Sequence, residues 1–247
     1  MKELTSIKEK LIELASETDN AKKSTFFENY LKTMAKFWKY SATNQFLIYL
    51  RMENATHVAG FHRWRALGRY VKSGERAIRI FAPMIRLSKD GTEEIRSFKA
   101  VSVFDISQTE GKPLPEIDIE LNGNDLQPLM DKLLAFCETK RISVKFDDLK
   151  DGLYGYSTGG QVVVACKDVN TQVNTLIHEI AHELLHHNGE KLPRSQQEIQ
   201  AEGTAYVVMS HFGAQAKSFN YLALYYVDSK KIMENLDAIQ KAAHTKL

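Results

Sequence analysis

The sequence predicts an α+β protein of two domains, and three observations carry that reading. Apolar residues recur at helical spacing towards both ends of the chain. Alternating apolar and polar residues with hairpin turn signals occupy the stretch from about 70 to 105. A segment with proline and glycine but no helical period then separates this block from a second run of helices. At 247 residues the chain can bury one large core or two modest ones. Its hydrophobic (43%) and charged (26%) fractions are those of an ordinary soluble globular protein. No run approaches the roughly 20 apolar residues that a membrane helix needs. The opening MKELTSIKEKLIELASE mixes acids and bases and lacks the apolar core of a signal peptide. Cys137 and Cys166 stand far apart in no metal-ligand spacing, so a reduced, cytoplasmic setting is expected.

In chain order, residues 3–18 read as an amphipathic helix through Leu4, Ile7, Leu11, Ile12 and Leu14. Residues 24–51 read as one or two more, with Ser24 and Ser41 as caps and the aromatics Phe37, Trp38 and Tyr40 between them. A short helix is expected at 62–68. After the Ser73-Gly74 turn, a strand carries Ile78, Ile80 and Ala82, and Asp90-Gly91 turns it into a return strand over 94–105. Residues 107–124 contain two of the five prolines and carry no period. The linker is placed there at 111–124, which sets the domains at 1–110 and 125–247. Helix resumes at 125–139 and a strand follows near 142–147. GLYGYS and QVVVAC pair across Thr158-Gly159-Gly160. Helices are expected at 171–188, at 194–212 and within 219–245.

The helix at 171–188 contains His178-Glu179-Ile180-Ala181-His182, an HExxH pattern. Histidines at i and i+4 project from one helix face, so two imidazole nitrogens can reach one metal ion. Glu179 follows the first of them, where its carboxylate can act as general base on a water activated by the ion. The pattern is short, and context strengthens it. The helix is otherwise apolar, so two histidines and an acid there are costly without a metal or partners. The next helix offers Glu198 and Glu202, one turn apart, either of which could complete the ligand set. QVVVAC stands where an edge strand could hold an extended peptide by strand addition. His186 repeats the i+4 step but sits too far along the helix for the same ion. With His187 it is read as a helix-end residue suited to the C-terminal dipole. Tyr206 could donate to an oxyanion, but a packed core tyrosine is the favoured reading.

This segment resembles the gluzincin metallopeptidases, in particular the ImmA/IrrE-like group, whose HExxH is followed by E-x-x-A-N/D/E. Glu198, Ala201 and Glu202 match that second motif. The resemblance implies a zincin-like domain with Zn2+ held by His178, His182 and Glu198. It also implies Glu179 as the catalytic base and Glu202 as an acid orienting a ligand histidine.

Charge is uneven. Between Arg51 and Arg86 eight Lys and Arg residues face two acids, a local +6 within a chain of net +2. Both tryptophans fall in the N-terminal region. Bases stacked on aromatics, with phosphates tracked by Arg and Lys, make a single-strand binding groove. Its candidates here are Trp38, Lys39, Tyr40, Asn44, Gln45, Arg51, Arg63, Trp64, Arg69 and Lys72, with Phe61 and Arg65 beside them. Against that reading, aromatics at helical spacing fill cores and hairpin arginines are commonly just solvated.

SATNQ, W-x-x-L-G-R-x-V-K-x-G-E and VFDISQTEGKPLP, within residues 20–120, resemble the N-terminal domain of the ArdC antirestriction proteins. That resemblance implies single-stranded-DNA binding without marked sequence preference, joined to a metallopeptidase-like domain, and a role in antirestriction or mobile-element protection. Two other functions fit the same residues. One is an ImmA-like protease that cleaves a repressor, its N-terminal domain holding protein; the other is a DNA-binding module with a vestigial metal site.

Overall fold

The computed structural model describes residues 2–16, 20–87, 93–114, 126–187, 192–214 and 229–245. The Asp90-Gly91 turn, most of the expected linker at 111–124 and the start of the expected 219–245 segment lie outside them. The class is α+β, with two compact units: Met1–Glu9 with Tyr40–Ile117, and Lys10–Lys39 with Asp118–Leu247. Helix α1 (Lys2–Ser16) contributes to both, whereas α2 (Asn20–Lys36) lies within the second.

In the first unit α3 (Ala42–Arg51) begins at Ser41, whose hydroxyl accepts from the Asn44 N–H. Strand β1 (Val58–Gly60), α4 (Phe61–Ala66), β2 (Arg69–Val71), β3 (Ile78–Leu87), β4 (Glu93–Asp105) and β5 (Thr109–Gly111) follow. β4 is central in an antiparallel sheet of order β1-β4-β3, and β2 pairs with β5. Alternation buries Ile78, Ile80 and Val103 with Phe46, Ile48 and Trp64. Asp105 closes the end of β4 by accepting from the N–H groups of Thr56, His57 and Ser107. Burial alone would raise its carboxyl, but those hydrogen bonds hold it below the usual range.

In the second unit α5 (Gln127–Thr139) leads into β6 (Ser143–Asp147), β7 (Gly155–Ser157) and β8 (Gln161–Ala165). Then come α6 (Val169–Leu185), α7 (Arg194–His211) and α8 (Ser229–Ala243). The sheet order is β6-β8-β7, with β6 parallel and β7 antiparallel to β8. The QVVVAC strand is therefore central, and the expectation of an edge strand is corrected: β6 and β7 are the edges. A parallel pairing joins residues far apart in sequence, which local patterning does not reveal. Val162 and Val164 of β8 bury against Leu129 and Leu133 of α5 and Val173, Leu176 and Ile177 of α6. Helix α2 joins this unit through its apolar face. Phe27, Tyr30, Leu31 and Met34 are buried, α2 packs on α7, and Nδ1 of His211 lies 2.9 Å from the Ala35 carbonyl. The expected boundary at 1–110 differs on this point, because an amphipathic face does not declare which unit covers it.

Candidate metal centre

Asp168 starts α6 by accepting from the Thr171 N–H, and the apolar face of the helix locks it onto the sheet. That leaves His178 and His182 on the opposite face, with their Nε2 atoms 3.1 Å apart. Glu198 reaches them from α7, its Oε2 lying 3.4 Å from Nε2 of His178 and 3.7 Å from Nε2 of His182. The three ligand atoms all lie within 4.8 Å of one another. A tetrahedral ion with ligands at about 2.0 Å has edges of about 3.3 Å, so the spacing fits a single ion. Two imidazoles and a carboxylate form a donor set for a divalent transition ion. Glu202, one turn further along α7, is half-buried and stands outside this set.

Glu179 is buried beside the histidines. Burial pushes its carboxyl upward, only partly offset by the charge of His178 and a hydrogen bond from Ser157. His182 is driven down to about 4 by burial and by its histidine neighbours. Glu198 falls to about 2, chiefly through its hydrogen bond with His178. At neutral pH the set therefore presents a neutral His182 and an ionised Glu198, the states a metal requires.

A cleft of about 540 Å³ opens on this face, lined by Leu153, Tyr156 and Ser157 on one side and by Arg194, Gln197 and Glu198 on the other. β7 borders this cleft at Gly155, where a Cβ would come within 2.6 Å of Thr175 Cγ2 and 3.3 Å of Glu179 Cγ. The turn from β7 to β8 is anchored to α6, because the Gly159 and Gly160 N–H groups donate to the Glu183 carboxylate at 2.8 and 2.6 Å. Both glycines have positive φ, which suits residues without a Cβ.

His186 does end α6, but its ring is not idle. Its Nδ1 lies 2.9 Å from Nδ1 of His182, and its Nε2 lies 3.0 Å from Gln200 Oε1. Beyond it, Gln200 Nε2 donates to Asn235 Oδ1 at 2.7 Å. His187 lies 3.1 Å from the Ser157 hydroxyl. Tyr206 is buried and does not line the cleft. Gln200 and Asn235 escape sequence reasoning because their roles exist only once three helices have packed. The repeated i+4 step at His186 is the one signal that could have found it.

The residues expected to contact nucleic acid are divided between the two units and differ in exposure. Trp38 and Lys39 belong to the second unit, where Trp38 packs against His211 and His244 with ring centroids 5.5 and 5.4 Å away. Trp64 is 2% exposed and its Nε1 donates to the Phe104 carbonyl, so it cannot stack on a base. Gln45 is fully buried. Asn44 is buried and exchanges two 2.8 Å hydrogen bonds with the Phe81 backbone, acting as a short strand partner. The Arg69 guanidinium is spent on Thr109 and Gly111 of β5 and on the carbonyl of Lys112, just beyond that strand. Tyr40 is half-buried, with its hydroxyl on the Val58 carbonyl. Burial thus corrects the expectation for Asn44, Gln45 and Trp64, while Arg51, Arg63 and Lys72 stay exposed. Sequence reasoning passed over the exposed aromatics Tyr70 and Phe98.

Residues 4–104 match the family described as the N-terminal domain of anti-restriction factor ArdC. An uncharacterized protein of Bacillus anthracis is 25% identical over 86% of this chain, and the chain spans 45% of that relative's length. Two crystal structures of the antirestriction ArdC protein from plasmid R388 are similar in fold. The metal-free form has a TM-score of 0.56 at 19% identity, covering 83% of this chain and 82% of that one. The Mn(II)-bound form has a TM-score of 0.53 at 18% identity, covering 83% and 86%.

Proposed function

We propose that this chain, ArdC-like in its N-terminal domain and in its fold, binds single-stranded DNA through its first unit and hydrolyses peptide bonds at a zinc centre in its second, in the service of antirestriction or another mobile-element function. The observation that carries the hydrolytic part is the convergence of His178, His182 and Glu198 beside the buried Glu179, at the floor of an open cleft. His178, His182 and Glu198 would hold the ion. When bound, it supplies Lewis acidity to water and to an amide carbonyl. Glu179 takes the proton of the attacking water and delivers it to the departing amine, a task suited to a carboxyl raised by burial. β7 offers an extended peptide its outer edge, with Leu153 and Tyr156 exposed along the cleft. The R388 protein whose fold this chain shares has been crystallised with Mn(II), which favours a divalent ion without choosing zinc.

The DNA-binding part rests on the +6 segment and on the exposure of Arg51, Arg63 and Lys72, with Phe61, Tyr70 and Phe98 as stacking surfaces in place of Trp64. A cytoplasmic setting accords with two free cysteines. Glu179→Gln in the full chain tests the hydrolytic claim: it should keep zinc and lose cleavage of a peptide library by at least two orders of magnitude. A variant that keeps zinc and cleaves as wild type would sink the hydrolase reading.

A further inference from the structure

Lys231 in α8 carries a main-chain carbonyl that can only accept a hydrogen bond, and Asn235 Nδ2 donates to it at 2.9 Å. That single contact orients everything beyond it. With its amide turned this way, Asn235 presents Oδ1 to Gln200 and accepts from Gln200 Nε2 at 2.7 Å. Gln200 then presents Oε1 to His186, so the His186 proton must sit on Nε2, 3.0 Å away. A neutral imidazole protonated on Nε2 has a bare Nδ1. The His186 Nδ1 therefore accepts from the Nδ1–H of His182 at 2.9 Å. This leaves the Nε2 of His182 with its lone pair exposed, and that nitrogen is the one facing His178 and Glu198. Reversing both amides would set Asn235 Oδ1 against the Lys231 carbonyl, two acceptors with no proton between them. Gln200 and Asn235 are 5% and 2% exposed, so water is poorly placed to repair such a mismatch.

We infer that His186, Gln200 and Asn235 are positioning residues that hold His182 in its metal-ready tautomer, with the polarity of the relay set by the Lys231 carbonyl of α8. The inference rests on the reading of His182 as a metal ligand. Partners of this kind fix ring orientation and raise ligand basicity, and their loss typically costs about 10–100-fold in metal affinity. The relay also makes α8 part of the centre, although it contributes no ligand to the three-residue set.

Two measurements on the full chain test this. In nitrogen-15 histidine spectra of the metal-free wild type at neutral pH, His182 should carry its proton on Nδ1 and His186 on Nε2. Zinc affinity, read by competition with a chromophoric chelator, should fall about 10–100-fold in Gln200→Leu and in Asn235→Leu. A His182 protonated on Nε2 would overturn the relay, as would folded variants with wild-type zinc affinity. Should a variant fail to fold, the wild-type spectrum decides. A wild type that binds neither zinc nor manganese would defeat the proposed metal centre, while the spectrum still judges the relay on its own.

Discussion

At the scale of residues, the same chemistry takes opposite roles according to burial. Trp64 and Phe61 are neighbours on α4, yet Trp64 fills the core and Phe61 is 48% exposed. Trp64→Ala should therefore destabilise the fold by about 3–5 kcal/mol, as large aromatic truncations do, and weaken DNA binding only as far as it unfolds the unit. Phe61→Ala with Arg63→Ala should weaken oligonucleotide binding and leave the melting temperature near that of wild type. Melting curves and fluorescence anisotropy on the same preparations separate the two. A folded Trp64→Ala protein with wild-type stability would contradict the core assignment. Motif spacing made His178, Glu179 and His182 legible, because one helix sets their geometry. No equivalent rule exists for tryptophan in a basic run, where stacking platform and core residue look alike until the fold is built.

At the scale of elements, the cleft depends on how closely β7 runs over α6. Gly155→Ala would place a Cβ 2.6 Å from Thr175 Cγ2 and 2.9 Å from the Val163 carbonyl oxygen, so the strand or the helix must shift. A loss of 1–3 kcal/mol in stability, roughly the cost of overpacking, is expected together with impaired cleavage, because Glu179 Cγ borders the same point. Urea unfolding and peptide turnover measured on this variant check both effects. Element types were largely readable from periodicity, and α6 and α7 fall close to their expected bounds. The central place of β8 and the docking of α2 on α7 were not readable, since each is decided by packing between distant segments.

At the scale of the whole molecule, charge links stability and binding to solution conditions. Folded His182 takes up a proton only near pH 4, whereas the unfolded side chain does so near 6.5. Between those values the unfolded chain binds more protons, so the metal-free protein should lose stability as pH falls from about 6.5 towards 4. Thermal melts across that window, compared with His182→Gln, should show a shallower slope in the variant. DNA binding by the first unit should weaken with salt at a slope of about −0.7 for each phosphate contacted on a single strand. A salt-independent affinity would remove the exposed basic residues from the interface. The central claim, that His178, His182 and Glu198 form one metal centre, is tested most directly by the metal stoichiometry of the purified full chain after zinc loading and gel filtration. One ion per chain is predicted for the wild type and for Glu202→Ala, with none retained by Glu198→Ala. Retention by Glu198→Ala together with loss from Glu202→Ala would contradict the account.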